Sequence, residues 1–252
     1  MMKRLVSTAA ALLVTTGFAA ASIPARAADL PPATAAPLPV FNWNGFYVGA
    51  SFVYGQGKTD DSYTTSVAQP VLVTRHSFHG PMGGVEAGYC GMGGLLVVCG
   101  EVAGAFGRER GTNFGFATTN AATSIQSTLT TNWLVTAGPK LGFTVDRNQL
   151  FIYASGGGAF AEVSMDSIST VPGRLGAGST STTKGGWFVG AGMERLLTPN
   201  LGVKFEYKRV DLGGFDNTLT GGAVVRTSGL LNNIFSAGVN FHFNSGLAYG
   251  NY

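Results

Sequence analysis

The sequence predicts an all-β protein, an eight-stranded antiparallel up-and-down β-barrel that crosses a membrane. Three observations carry this expectation. Eight segments alternate apolar with small or polar residues at a period of two, the pattern of a wall between lipid and lumen. The connections between those segments are alternately short and long. Finally, 38 of the 252 residues are Gly and only 12% are charged, whereas soluble domains carry about 7% Gly and about 25% charge.

The chain opens on an export address. Lys3 and Arg4 supply a basic start, Leu5–Ala21 is apolar apart from scattered Ser and Thr, and Ala25-Arg26-Ala27 is a small-x-small cleavage site. Residues 1–27 therefore read as a signal peptide. Pro24 interrupts the run and argues against an anchor. Lys3, Arg4 and Arg26 account for the whole formal charge of +3. The exported chain is then neutral, and a nucleic-acid partner has no electrostatic motive. Residues 28–42 are rich in Pro and Ala without periodicity and read as a periplasmic leader. Residues 43–243 read as the barrel and 244–252 as a tail.

The first strand sets Phe46, Val48, Ala50, Phe52 and Tyr54 outward against Tyr47, Gly49, Ser51 and Val53. The second, about 82–90, sets Gly83, Val85, Ala87 and Tyr89 against Met82, Glu86, Gly88 and Cys90. The third, about 96–107, sets Val98, Val102 and Phe106 against Cys99, Glu101 and Ala103. In the fourth, about 129–143, Trp133, Val135, Ala137, Leu141 and Phe143 oppose Asn132, Leu134, Thr136, Gly138 and Lys140. The fifth, about 150–163, is apolar and Gly-rich on both faces, which leaves its register open. The sixth, about 186–195, sets Trp187, Val189, Ala191 and Met193 against Phe188, Gly190, Gly192 and Glu194. The seventh, about 201–209, sets Leu201, Val203, Phe205 and Tyr207 against Lys204, Glu206 and Lys208. The eighth, about 234–243, sets Phe235, Ala237, Val239, Phe241 and Phe243 against Ser236, Gly238, Asn240 and His242.

Short joins fall at 92–95, 144–149 and 197–200, and long polar joins at about 58–77, 109–128, 164–184 and 211–228. Short turns on one side and long loops on the other are the asymmetry of an outer-membrane barrel, and an even strand number returns both termini to the periplasmic side. Trp43, Tyr89, Phe143, Phe151, Phe241 and Phe243 are expected in a periplasmic aromatic girdle, and Tyr54, Trp133, Trp187 and Tyr207 in an outer one.

Seven charges are placed inward: Glu86, Glu101, Lys140, Glu194, Lys204, Glu206 and Lys208. Isolated charges in a narrow lumen are costly, so these should pair into a network. Glu86 and Glu101 could serve as an acid/base pair, but an eight-stranded lumen is filled by side chains. His76, Ser77, His79, Asp60 and Asp61 share the first long loop without the fixed geometry that a triad or a metal site requires. Arg108-Glu109-Arg110 reads as a solvated or headgroup-contacting cluster at the outer rim. The GxG strings reflect close packing, because none lies between a strand and a helix. No catalytic, cofactor or metal residue is assigned.

Cys90 and Cys99 both face the lumen, level with one another beside a tight turn. Export to an oxidising compartment makes them an expected cross-strand disulfide with a structural role.

Nine stretches in order resemble the small outer-membrane surface-antigen barrels of alphaproteobacteria, the immunogenic or porin-like proteins. They are the leader ending in ADLP, then NWNGFYVGA (42–50), GGVEAGY (83–89), CGEVAG (99–104), WLVTAGPKLGF (133–143), LFIYASGGGAFAE (150–162), GWFVGAGMER (186–195), VKFEYKRVDLG (203–213) and SAGVNFHF (236–243). The resemblance implies an eight-stranded barrel, abundant at the cell surface and without catalytic residues. Three features depart from that pattern. Gly138 stands where an inward Arg is expected, the two cysteines are additional, and the chain runs on past Phe243 to Tyr252, so that either aromatic could be the assembly signal.

The expected function is structural, supporting envelope integrity and surface presentation. The alternatives are ligand or host binding through the long loops, or a narrow porin-like channel. The expected partners are outer-membrane lipid and lipopolysaccharide, and the barrel-assembly machinery during biogenesis.

Overall fold

The computed structural model describes residues 41–64, 72–116, 124–170, 176–220 and 224–243. The expected signal peptide, the expected leader up to residue 40 and the expected tail with Tyr252 lie outside the described residues.

The strands are β1 (Gly45–Thr64), β2 (Leu72–Gly93), β3 (Leu96–Phe116), β4 (Ser124–Val145), β5 (Leu150–Ser169), β6 (Gly176–Leu196), β7 (Leu201–Asp211), β8 (Phe215–Thr218) and β9 (Val224–His242). Each of β1 to β6 pairs antiparallel with its successor, β7 pairs with β9, and β9 closes on β1. β8 continues the line of β7. It pairs with the first residues of β9, while β7 pairs with the rest. Between them Gly213 takes a φ of 69°, and the two backbone bonds Leu212–Leu230 and Leu230–Gly213 hold the interruption to β9. The ring is therefore eight-stranded, with one strand broken by a glycine kink. A bidentate Arg226–Asp216 pair also holds β8 to β9, and its hydrogen bonds keep the Asp216 carboxyl below the usual carboxylate range.

The registers set out an apolar belt. Phe46 stands opposite Tyr89, Ala50 opposite Val85, and Tyr54 opposite Pro81. The outward side chains of this zone are exposed, with Phe46 at 62%, Phe52 at 61% and Val85 at 56%. Eight residue steps separate the two aromatic levels, about 26 Å along a strand and roughly 20 Å along the axis of a tilted barrel. With the girdle side chains at each edge, that approaches the apolar band of about 25 Å in an outer-membrane barrel.

Strands of about 20 residues are twice what a tilted span needs, so the other half projects beyond the belt. This corrects the four long loops expected from the sequence. Most of 58–77, 109–128, 164–184 and 211–228 continues the strands, and their tips lie outside the described residues.

At the opposite end the joins are tight. Gly94, with a φ of 64°, occupies the first position of the two-residue turn between β2 and β3, which a II′-type hairpin turn requires. Asp146, Arg147 and Asn148 all have positive φ, an arrangement that costs roughly 1–2 kcal/mol per residue unless the surroundings impose it. Here they do. Thr144 Oγ1 donates to Asn148 Oδ1 at 2.7 Å, and Trp43 Nε1 donates to the Asn148 carbonyl at 2.7 Å.

Two expectations about faces change. Asn132 is an extra residue in β4, since Trp133 stands opposite Glu162 while Thr131 stands opposite the adjacent Val163. Beyond this bulge the parity reverses, and Leu129 and Thr131 are buried where uninterrupted alternation would turn them outward with Trp133. Trp43 and Phe151, expected in the girdle, are 1% and 2% exposed and lie inside. Tyr89, Phe143, Phe241 and Phe243 do face outward. β5 is also resolved: Phe151, Tyr153, Ala159, Ala161, Val163 and Met165 point in, while Ile152, Phe160 and Ile168 point out.

Candidate functional site

The barrel interior is built in three layers. At the short-turn end, Phe41, Trp43, Tyr47, Phe151 and Tyr153 pack around the two cysteines. Trp43 lies 5.3 Å from the Phe151 ring and edge-on to His242 at 5.2 Å, and Tyr47 stacks on His242 at 5.3 Å. The segment just before β1 thus folds inward and closes this mouth.

Cys90 and Cys99 stand directly opposite one another in the β2–β3 ladder, buried and joined by a disulfide. The bridge closes only a short hairpin, so its chain-entropy contribution is about 2–3 kcal/mol. Replacing both cysteines by Ala is expected to lower stability by no more than this, and the oxidised exported protein should yield no alkylated thiol by non-reducing mass spectrometry. Two freely alkylated thiols would contradict the bridge.

The middle layer is ionic. Lys204, Glu206 and Lys208 share one face of β7 because side chains two apart on a strand point the same way. They reach across the lumen to Glu86 on β2, Glu101 on β3 and Lys140 on β4. Lys140 pairs with Glu101 and stands 3.8 Å from Glu206. Lys204 pairs with Glu86 and stands 3.4 Å from Glu206. Lys208 lies 3.4 Å from Glu101 and 3.1 Å from Glu206. Three cations and three carboxylates therefore form a neutral cluster with Glu206 touching all the lysines. Tyr47 donates to Glu101 at 2.8 Å, and Lys140 sits 4.7 Å from the Tyr153 ring centroid. Every one of the six is less than 10% exposed, so their mutual attraction acts with little screening by water.

Glu194, expected in this network, is placed apart from it. Its carboxylate takes a hydrogen bond from Asn240 Nδ2 at 2.8 Å and meets His242 Nε2 at 2.7 Å. Glu194 stands opposite Lys204 in the β6–β7 ladder, but its side chain leans towards the short-turn end, where His242 packs against Trp43 and Tyr47. Gly138 also finds its explanation. A Cβ there would lie 2.1 Å from the Gly156 carbonyl oxygen, so β4 and β5 approach too closely for the inward Arg that the family pattern suggests.

The upper layer is apolar. Phe78, Leu129, Val163, Met165, Val210, Val225 and Leu230 fill the projecting half of the barrel. Between this core and the charges remains a cavity of about 40 Å³ bordered by Glu86, Lys204, Glu206 and Lys208, far below the roughly 300 Å³ that small-molecule sites begin at. Glu86 and Glu101, weighed as an acid/base pair, are held by different lysines, Lys204 for the first and Lys140 for the second.

Among the described residues no three His, Cys, Asp or Glu side chains gather as a metal site. His79 lies exposed beside the Tyr54 ring, 6.4 Å between centroids, and the side chains of His76 and Asp61 lie outside the described residues. Glu109, read from sequence as part of an exposed cluster, is fully buried, and Asn232 Nδ2 donates to it at 2.7 Å. Its odd-numbered position, in phase with inward Glu101 and Ala105, was the available signal. His242 and Tyr47 lay on inward positions too, but their partners stand on distant strands that no local pattern reveals.

The profile of the outer membrane protein beta-barrel domain family matches residues 10–243. The chain is 29% identical over 222 residues to the 31 kDa outer-membrane immunogenic protein of Brucella melitensis biotype 1, covering 84% of this chain and 88% of that one. It is similar in structure to the outer membrane protein OprG of Pseudomonas aeruginosa, with a TM-score of 0.48 and 12% identity over 80% of this chain and 98% of the other. The attachment invasion locus protein of Yersinia pestis aligns with a TM-score of 0.33 and 15% identity over 77% and 98%.

Proposed function

Because the chain belongs to the outer membrane protein beta-barrel domain family, we propose that it is a closed, non-enzymatic barrel that contributes to envelope integrity and carries its projecting strands to the cell surface. The observation that carries this reading is the interior, which among the described residues holds an aromatic layer, a neutral ion cluster and an apolar core. Such a lumen favours rigidity over passage or catalysis. Closing water out with fixed charges ties β7 to β2, β3 and β4 across the barrel, which resists lateral deformation.

In this reading residues 1–27 direct export, the short-turn end and both termini face the periplasm, and the projecting half stands outside. Outer-membrane lipid and lipopolysaccharide surround the belt, and the barrel-assembly machinery inserts it.

The test is complementation of cells lacking the protein with a barrel whose projecting hairpins are trimmed back to the belt, with detergent sensitivity as the readout. Full rescue is expected. Rescue only by the untrimmed chain would favour a surface-binding role instead. In planar bilayers the purified barrel is expected to give no steady conductance, and stable single-channel steps would favour the porin-like alternative.

A further inference from the structure

Directly above the belt, the outward face of β1–β3 carries Lys58, His79, Arg108 and Arg110, all exposed. His79 stands opposite Arg110 in the β2–β3 ladder and opposite Gln56 in the β1–β2 ladder. Arg108 lies between Arg110 and Phe106, the last apolar residue of the belt on β3. The two arginines are thus two and four residues beyond the belt edge, roughly 5–10 Å along the axis, the depth of a lipid headgroup layer.

Lys58, Arg108 and Arg110 have no acidic partner among the described residues. The residue between the arginines, Glu109, turns inward and is held by Asn232, so it does not neutralise them. Among the described side chains Asp60 is the acid of this sector, and it stands farther out, opposite Arg75. On β5 the outward residues include the acids Glu162 and Asp166, which stand opposite Trp133 and Thr128 of β4. Lys58, Arg108 and Arg110 thus gather positive charge on one face, which an anion placed among them would neutralise.

We propose that Lys58, His79, Arg108 and Arg110 form a docking surface for the phosphates of an anionic lipid headgroup in the leaflet at the long-strand end. Planar guanidinium groups suit phosphate oxygens by paired hydrogen bonds. The neighbouring Phe52, Val85 and Phe106 offer apolar wall to the acyl chains of the same molecule. The proposal rests on the reading of the projecting half as the outer side, where the leaflet is rich in phosphorylated glycolipid.

The experiment titrates the folded full-length barrel, in neutral detergent, with a bisphosphorylated diglucosamine lipid, its dephosphorylated form, and inorganic phosphate. Wild type is expected to prefer the bisphosphorylated lipid, with affinity falling as salt rises. The pair Arg108→Ala and Arg110→Ala should weaken it about 30-fold, taking about 1 kcal/mol for each basic residue near a lipid surface. Arg147→Ala with Arg195→Ala removes the same charge at the short-turn end and should change nothing. Heat-modifiable gel migration verifies that each variant is folded. Wild-type affinity in the Arg108/Arg110 variant, equal loss in the charge-matched control, or equal binding of the dephosphorylated lipid would each overturn the proposal. Displacement of the lipid by equimolar inorganic phosphate would overturn it as a lipid site. Lost binding in a barrel that still restores the envelope refutes this inference alone, and intact binding in a barrel that does not restore it refutes the structural role alone.

Discussion

Lys204→Met is expected to lower the stability of the folded barrel by about 3–5 kcal/mol, because it leaves a buried carboxylate without its cation. Glu86 pairs with Lys204 and with no other cation among the described residues, whereas Glu101 and Glu206 each retain further lysines. Glu86 Oε1 already lacks a hydrogen-bond partner, so the substitution strips the remaining oxygen as well. Urea titration in lipid vesicles, followed by Trp fluorescence, measures the loss. Adding Glu86→Leu should recover most of it, since removing both charges also removes the desolvation cost. A Lys204→Met barrel within about 1 kcal/mol of wild type would mean that water reaches the cluster and screens it.

Val85→Arg tests the outer face with comparable force. Val85 lies four residues from Tyr89 and four from Pro81, the two edges of the belt on β2. A charge at the midplane of a lipid-facing strand costs about 2–4 kcal/mol. From the sequence alone, Gly88→Ala looks like a mild reference substitution, but the structure removes it from that role. A Cβ at Gly88 would lie 2.6 Å from the Gly100 carbonyl oxygen and 2.5 Å from the Tyr47 ring. Gly100→Ala is the sound reference, because a Cβ there meets nothing within 4 Å. If Val85→Arg cost no more than Gly100→Ala in refolded vesicles, the belt would not be lipid-facing at that position.

The two substitutions act through opposite faces of the same wall, at nearly the same height. Glu86, the neighbour of Val85, points at the ion cluster while Val85 points at lipid. A barrel wall one residue thick must therefore separate hydrocarbon from buried charge by backbone alone. That explains why the network is neutral and each lysine meets two carboxylates: a charge left over would have neither water nor counterion.

Period-two alternation determined most of the fold from sequence alone. Within the belt one face must satisfy hydrocarbon and the other a crowded interior, so each strand there writes its two faces in residue type. The short turns at 94–95, 146–149 and 197–200 were legible for the same reason, as breaks between such runs. The projecting halves were not. Above the belt the outward face meets water, so the Ser, Thr and Gly of 176–185 read as loop although they pair with β5 along their whole length. The bulge at Asn132 was equally silent, because one extra residue reverses parity without leaving a chemical mark.

Facing is a local property, and so the inward position of all seven lumen charges could be derived from the chain order. Partnership is not local. Which lysine meets which carboxylate, why Glu194 turns to His242, and why Glu109 withdraws from the arginines beside it depend on strand stagger around a closed ring. That stagger fixes the height at which residues more than 100 positions apart meet, and only the tertiary structure decides it.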